Sequence, residues 1–311
     1  FFYLVFLLAT GITVLISGRY LENYRKHYGE YYALLLFAAV GMMLLAAGSN
    51  LVMIFLGIEV LSIPIYILSG MFREDLKSNE AAIKYLLLGA FSSAFLLFGI
   101  GMLYGGYGTF DLAALGKAIT KAGLNPLGYL GLGLLIVGFG FKVAMAPFHM
   151  WTPDVYEGAP TSVTAFMSVG TKAAAFAAFL RIFLEVFPAV KLDWEMVLWV
   201  ASVATMTIGN VTALAQTNIK RMLAYSSIAH AGYILIGLLA ANQLGTIGVL
   251  YYLLAYTLMN LGAFGVVILV GRKKDRYLNI YDYSGLGFQY PGLAALMSVF
   301  MFALVGMPPT A

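Results

Sequence analysis

Long apolar runs separated by short polar connections make up almost the whole of this 311-residue chain. Ten runs are long enough to cross a bilayer as helices, which takes roughly 17 to 25 residues. They fall at residues 1–18, 31–48, 51–72, 82–104, 127–158, 161–187, 194–215, 222–241, 246–270 and 291–311. This pattern predicts an all-α polytopic membrane protein with about ten transmembrane helices.

Two connections predict how neighbouring helices are arranged. The Gly-Ser-Asn turn at 48–50 is short enough to place its flanking runs side by side as an antiparallel pair. The run 127–158 contains Pro147, and a proline inside a helix removes a backbone hydrogen bond and breaks or kinks the helix. We therefore expect a broken helix within the stretch GFGFKVAMAPFHMWTPDVYEGAP, which begins at Gly138.

The order of the runs predicts an internal repeat. Five runs lie within 31–187, the fourth broken by Pro147, and the fourth run of the group that starts at 194 carries Pro308-Pro309. An odd number of helices per repeat gives consecutive repeats opposite orientations, as in transporters with broken helices. We expect a preceding helix and cytoplasmic loop at 1–30, a first unit at 31–187, and a second, inverted unit at 194–311 that lacks its fifth helix. The chain reads as a piece of a longer polypeptide.

Basic residues in the connections predict the orientation. Eleven fall on one side of the predicted spans: Arg19, Arg25, Lys26, Arg73, Lys77, Lys220, Arg221, Arg272, Lys273, Lys274 and Arg276. Only Lys117, Lys121 and Lys191 fall on the other side. Because Lys and Arg concentrate in cytoplasmic loops, the first side is predicted to face the cytoplasm or its equivalent.

Composition narrows the possible chemistry. Hydrophobic residues make up 62% of the chain and charged residues 10%, and there is no cysteine. This excludes disulfides, thiolate zinc sites and cysteine-ligated iron–sulfur clusters. The three histidines have no carboxylate cluster at ligand spacing, so no metal site is expected. The glycine clusters lack the strand context of a nucleotide site, and the net charge of +4 lacks a long basic run for nucleic acid.

Ionisable residues within the predicted spans are the main candidates for function. Glu59, Lys142 and Lys172 each interrupt an apolar run. At about 2.5 to 3.5 kcal/mol for a charge at a helix centre, three such residues together cost on the order of 8 to 10 kcal/mol. That is comparable to the stability of a whole domain, so a purposeless placement is disfavoured. A buried lysine whose charge responds to a neighbouring carboxylate can take up and release a proton.

Other ionisable residues leave alternatives open. Lys84 follows Glu80 by four residues near a helix end, so a snorkelled ion pair explains it as well as proton transfer does. Arg181 and Glu185 have the same spacing and are interpreted as a snorkelled pair. His230 lies in mid-span, where a satisfied core histidine and a proton relay are both open.

His149 and Asp154 follow the predicted break. Backbone groups freed by a helix break need polar partners. A structural role for these two side chains is therefore as well supported as proton transfer.

Three longer motifs resemble the antiporter-like membrane subunits of respiratory complex I. They are SNEAAIKYLLLGAFSSAFLLFGIGMLYG from Ser78, GFGFKVAMAPFHMWTPDVYEGAPTSVTAFMSVGTKAAAFAA from Gly138, and QTNIKRMLAYSSIAHAGYILIG from Gln216. The resemblance implies two inverted five-helix units with broken helices, and proton pumping driven by quinone reduction in neighbouring subunits. It implies no cofactor on this chain, with NAD, FMN, iron–sulfur clusters and quinone in partner subunits of an inner or cytoplasmic membrane complex.

The resemblance also assigns residues. Glu59 matches the carboxylate on the second helix of the first unit, and Lys84 a neighbour on the next helix. Lys142 matches the lysine at the broken helix, and Lys172 the connecting lysine one helix later. His230 lies on the helix that continues this axis. A lysine on the second broken helix is expected beyond the GMPPT motif and therefore beyond the end of this chain.

Three hypotheses follow. The first is a proton-translocating subunit of an NADH:quinone oxidoreductase, with other membrane and hydrophilic subunits and the lipid bilayer as partners and no nucleic acid. The second is a subunit of a multisubunit cation/proton antiporter or of a membrane-bound hydrogenase. The third is a structural membrane scaffold.

Overall fold

The structure, a computed structural model, describes residues 1–24, 29–271 and 277–307, and helices make up most of these residues. The α-helices are α1 (Phe2–Asn23), α2 (Gly29–Ala47), α3 (Leu51–Ser69), α4 (Leu76–Tyr107), α5 (Leu112–Ala122), α6 (Pro126–Val143), α7 (Trp151–Gly158), α8 (Thr161–Phe166), α9 (Lys172–Arg181), α10 (Lys191–Leu214), α11 (Ile219–Ala240), α12 (Gln243–Gly271), α13 (Leu286–Gln289) and α14 (Pro291–Val305). Two π-helical turns occupy Met167–Thr171 and Ile182–Val186, and 3-10 turns occupy Pro188–Val190 and Ile280–Tyr283.

The described residues form nine helices that are long and apolar enough to cross a membrane, one of them the continuous segment Thr161–Val186. The predicted run at 291–311 corresponds to the shorter α14. The described part of the chain contains no β-strand, only two isolated bridges. The predicted all-α polytopic membrane fold is confirmed. Arg25, Lys26, Arg272, Lys273, Lys274 and Arg276, used above to predict orientation, lie outside the described residues.

α2 and α3 form the antiparallel pair that the 48–50 turn predicts. Gly41 of α2 lies against the backbone of Leu61, and Gly57 of α3 lies against the backbone of Leu45. Small residues at these positions let two membrane helices approach closely. The segment from Thr161 to Leu180, buried throughout, lies at the centre of the bundle.

The connection between α4 and α6 contains a helix that the sequence analysis did not predict. Asp111 caps α5 by accepting a hydrogen bond from the backbone nitrogen of Ala114 at 2.8 Å. Leu115 and Ile119 are buried, whereas Lys117 is exposed. At eleven residues α5 is too short to span, and its two-sided character fits a helix lying across the bundle end.

The predicted break in the fourth run of the first unit is present. α6 ends at Val143, and Ala144 has a positive φ of 62°. The chain then runs through a cis Ala146–Pro147 peptide bond before α7 begins at Trp151. Lys142 therefore lies in the last turn of a half-helix rather than deep within a continuous one.

α14 ends in the same way as α6. Its last residue is Val305, and Gly306 has a positive φ of 84°. The backbone nitrogen of Met307 donates to the oxygen of Phe302 at 3.1 Å, just as that of Met145 donates to Gly140 at 2.8 Å. Pro308 and Pro309, the predicted second break, lie outside the described residues.

A second feature also occurs twice. A backbone bridge joins Asn50, the N-cap of α3, to Asp111, and another joins Asn218, the N-cap of α11, to Asn279. In each proposed unit the bridge thus joins the start of the second helix to the connection that follows the third. Both repeated features support the division into units at 31–187 and 194–311, which stays a prediction.

Candidate functional site

Glu59 lies halfway along α3, as the ninth residue of a 19-residue helix. Its Oε1 accepts a hydrogen bond of 2.5 Å from the hydroxyl of Ser93 on α4. A carboxylate in a membrane helix thus has a polar partner on the neighbouring helix.

Lys142, on α6, contacts the same helix. Its Nζ donates to the hydroxyl of Ser62 at 2.7 Å and to that of Tyr66 at 3.5 Å. Ser62 and Tyr66 follow Glu59 by three and seven residues, so all three side chains share one face of α3. The position of Lys142 in the last turn of α6 also suits a cation, because the C-terminal end of a helix carries a partial negative charge. The fold therefore brings the ammonium of Lys142 to the face of α3 that carries Glu59.

Aromatic rings enclose the break next to Lys142. Tyr66 meets Tyr85 edge-on at 4.8 Å between ring centroids, and Tyr85 stacks on Trp151 at 4.4 Å. The indole nitrogen of Trp151 donates to the backbone oxygen of Phe141 at 3.0 Å. Because α6 ends at the break, this bond gives one of its last carbonyls a partner.

Lys172 is buried at the junction of the two proposed units, with 2% of its surface exposed. Its Nζ donates to both the backbone oxygen and the hydroxyl of Ser227 on α11. It also lies 5.7 Å from the centre of the Tyr256 ring, within the range of a cation–π contact. Lys172 directly follows the π-helical turn Met167–Thr171, and such turns are frequent at functional sites.

His230 lies halfway along α11 and is 4% exposed. Its Nδ1 shares a hydrogen bond of 2.5 Å with the hydroxyl of Tyr252 on α12. Its ring centroid is 4.9 Å from that of Tyr256, the ring that also faces Lys172. A cavity of about 670 Å³ borders His230 and Tyr252. Lys172, Ser227 and His230 therefore form one connected group.

Lys84 has a different environment. Its Nζ pairs with Glu80 and with Asp154, both at 2.6 Å, and 40% of its side chain is exposed. The predicted pair with Glu80 is confirmed. Nine residues separate Lys84 from Ser93, the partner of Glu59, and this is about 13 Å along α4. Lys84 thus lies at a different depth from Glu59, and its role in proton transfer stays a prediction.

An ion-pair network surrounds Asp154 on α7. Arg221 of α11 pairs with Asp154 at 2.7 Å and with Glu157 at 2.9 Å, and Lys77 pairs with Glu157 at 2.7 Å. Burial alone would raise the pKa of Asp154, but hydrogen bonds from Lys84 and Arg221 outweigh it and lower the pKa below its ordinary value. The same balance, with Lys77 and Arg221 as donors, lowers the pKa of Glu157. These contacts favour the structural interpretation of Asp154.

From the sequence, Lys220 and Arg221 are predicted only as charges that set the orientation. Lys220 is in fact 1% exposed, and its Nζ donates to the backbone oxygen of Ala159 at 2.6 Å. Lys220 precedes Ser227 by seven residues and so falls on the buried face of α11. That spacing indicates burial of Lys220. Nothing in the sequence indicates that Arg221 pairs with Asp154, which lies 67 residues earlier.

The predicted Arg181–Glu185 pair is confirmed, with Nε to Oε1 at 3.1 Å. Arg181 also donates to the backbone oxygens of Ala46 at 3.2 Å and Gly48 at 2.7 Å, so it gives carbonyl groups at the end of α2 a hydrogen-bond partner.

His149 lies in the break and lines an apolar cavity of about 600 Å³. Among the described residues, no three His, Asp or Glu side chains lie close enough together to hold a metal ion.

Comparisons with known proteins agree with this architecture. The sequence profile of the NADH:quinone oxidoreductase/Mrp antiporter transmembrane family matches residues 47–311. The chain is 55% identical to NADH-quinone oxidoreductase subunit N of Trichlorobacter lovleyi, over 100% of this chain and 64% of that protein.

Two solved structures share the fold. A chain of respiratory complex I from Thermus thermophilus superposes with a TM-score of 0.80 at 39% identity, covering 99% of this chain and 65% of that one. A chain of the Mrp complex from Dietzia sp. superposes with a TM-score of 0.85 at 24% identity, covering 99% of this chain and 57% of that one. The Mrp likeness shows the fold alone. The chain spans about 64% of the length of its curated relative, and it belongs to the NADH:quinone oxidoreductase/Mrp antiporter transmembrane family.

Proposed function

We propose that this chain translocates protons across the membrane as a subunit of an NADH:quinone oxidoreductase. One observation carries the proposal. Each of the three ionisable side chains that interrupt the spans is hydrogen-bonded to a serine hydroxyl on a neighbouring helix: Glu59 to Ser93, Lys142 to Ser62, and Lys172 to Ser227. Charges that cost several kcal/mol in lipid are thus retained with partners that accept or donate a proton.

The proposed path runs through three elements. Glu59 takes a proton at a carboxylate oxygen, and Lys142 takes one at Nζ a turn further along the same face of α3. Lys172 carries the proton at Nζ across the junction to the group that contains His230. Water fills the gaps between these polar atoms. Lys84 is proposed to supply a proton from the bundle end, where its partners Glu80 and Asp154 are partly exposed.

Redox chemistry is assigned to partner subunits. In this proposal NAD, FMN, iron–sulfur clusters and quinone are bound by other membrane and hydrophilic subunits of the same complex. Quinone reduction in those subunits changes the charge near Glu59 and so its protonation. A change in the charge of Glu59 then alters the proton affinity of Lys142. The complex lies in the inner or cytoplasmic membrane.

A subunit of a multisubunit cation/proton antiporter is the second candidate, because the fold matches the Dietzia Mrp chain. The 55% identity to subunit N favours the oxidoreductase over it. The candidates differ in energy source: sodium-dependent exchange in vesicles without a reductant favours the antiporter, and pumping that stops without NADH favours the oxidoreductase.

The test is proton pumping by the assembled complex in membrane vesicles that carry Lys172→Ala or Glu59→Gln. Removing a hydrogen-bonded charged group is worth about 1.5 to 3 kcal/mol, so we expect pumping to fall roughly tenfold or more in both variants. Lys191→Ala is the matched control, because Lys191 forms an ion pair within α10 at 3.5 Å from Glu195. Normal pumping in both variants would contradict the proposal.

A further inference from the structure

The ammonium of Lys172 is held by one residue of the opposite unit. Lys172 belongs to α9, and both oxygen acceptors of its Nζ belong to Ser227 of α11. An ammonium has three donors, and a buried one needs partners for them. The ring of Tyr256 faces the same nitrogen. The side chain of Ser227 therefore helps to hold the ammonium of Lys172 in place.

Ser227 lies in buried and polar surroundings. Ser227 itself is 1% exposed. The side-chain nitrogen Nδ2 of Asn260 donates to the hydroxyl of Tyr256 at 3.1 Å and to that of Ser168 at 2.6 Å. Asn260 thus links Tyr256 to the π-helical turn before Lys172. The ring that faces the ammonium is thus connected to the segment that carries Lys172.

This position faces the next candidate group. His230 follows Ser227 by three residues on α11, so both side chains lie on one face of the helix. Tyr252 of α12 shares a hydrogen bond with His230. The ring of Tyr256, four residues later on α12, lies beside the His230 ring and also faces the Lys172 ammonium. Lys172 held by Ser227 thus points to the stretch of α11 that carries His230.

We propose that Ser227 is a positioning residue that holds Lys172 against the second unit, in the orientation from which its proton leaves the first unit. The proposal rests on the proposed function of Lys172. Loss of the hydroxyl leaves the ammonium with the backbone oxygen of residue 227 as its remaining acceptor there. The lysine then spends less time facing His230, and transfer slows without being abolished.

The experiment compares serine variants in the full-length subunit within its assembled complex. For Ser227→Ala we expect the rate of NADH-driven proton pumping to fall about tenfold, the effect of losing a hydrogen bond to a charged group. Ser227→Thr keeps the hydroxyl and is expected to restore most of the pumping. Ser202→Ala is the matched control, because Ser202 is also buried and donates to α11, at the oxygen of Gly232 and 2.8 Å away, without a charged partner.

A purely structural serine would behave differently. Equal losses in Ser227→Ala and Ser227→Thr, or the same loss in Ser202→Ala, would overturn the proposal. If Ser227→Ala assembles poorly, its thermal stability is compared with and without Lys172→Ala. A serine that serves the ammonium loses its effect when the lysine is absent, and an effect that persists contradicts the proposal. Normal pumping in both Lys172→Ala and Glu59→Gln would instead contradict the proposed function on which this inference rests.

Discussion

Asp154 lies between two cations contributed by different helices, Lys84 of α4 and Arg221 of α11. Burial opposes its charge, but the two hydrogen-bonded cations outweigh burial and lower the pKa of this carboxyl. A carboxyl whose pKa is lower in the folded state stabilises the fold above its unfolded pKa of about 3.9. That contribution is lost as the pH falls through the lower, folded pKa. Asp154 therefore contributes to stability at neutral pH and not in strong acid.

The first prediction concerns Asp154→Asn. Since exposed or half-exposed ion pairs are worth about 1 kcal/mol or less each, we expect the variant to be destabilised by about 1 kcal/mol at pH 7. Below about pH 4 the difference from the parent protein shrinks, because the parent loses its own charge there. Thermal unfolding in detergent from pH 7 to pH 3 measures this. Asp75→Asn, an exposed N-cap that asparagine fills equally well, is the control and is expected to leave the unfolding midpoint at pH 7 unchanged.

Helices in this protein differ in how readily the sequence predicts them. The spans are predicted because each contains an apolar run long enough to cross a bilayer. α5 is missed because it has only eleven residues, with apolar residues on one face and polar residues on the other. The break is predicted because Pro147 interrupts an apolar run, although the helix ends at Val143, four residues earlier. The π-helical turn before Lys172 is not predicted, because residues 161–180 are buried throughout and offer no polar face whose shift would reveal an extra residue in a turn.

The second prediction tests the α2–α3 contact. A Cβ added at Gly57 would lie 2.6 Å from the backbone nitrogen of Leu45, which is too close. Since overpacking forces backbone shifts, Gly57→Ala is expected to destabilise the protein by about 1 to 3 kcal/mol. Gly101→Ala in α4 is the control, because open space surrounds it and alanine favours a helix by about 1 kcal/mol. Equal thermal unfolding midpoints for the two variants would contradict the close helix approach.

At the scale of the whole molecule, two of the polar clusters in the described part of the chain lie between the proposed units. The buried group at Lys172 and Ser227 lies between α9 and α11, and the ion-pair network of Asp154 and Glu157 lies between α7 and α11. The sequence predicts candidate functional residues where a charge or an imidazole interrupts an apolar run, as at Glu59, Lys142, Lys172 and His230. Their serine and tyrosine partners are not predicted, because those residue types are common in membrane helices and their pairing depends on the tertiary fold.

The last prediction concerns Arg221, which connects α7 to α11. α7 has eight residues and follows the break, so few intrahelical hydrogen bonds hold it, and contacts with its neighbours fix its position. Arg221→Ala removes two ion pairs and leaves Asp154 and Glu157 with the partners on α4. Opening of α7 is expected to become easier by about 1.4 kcal/mol, so amide exchange across residues 151–158 accelerates about tenfold.

Hydrogen exchange followed by mass spectrometry measures this in the purified protein. Lys191→Ala serves as the control, because the Lys191–Glu195 pair lies within α10 and its loss is expected to leave exchange at 151–158 unchanged. Unchanged exchange in Arg221→Ala would mean that packing alone holds α7, since Trp151, Val155 and Tyr156 are buried. Acceleration confined to Arg221→Ala would make the ion-pair network the contact through which α11 holds the segment after the break in place.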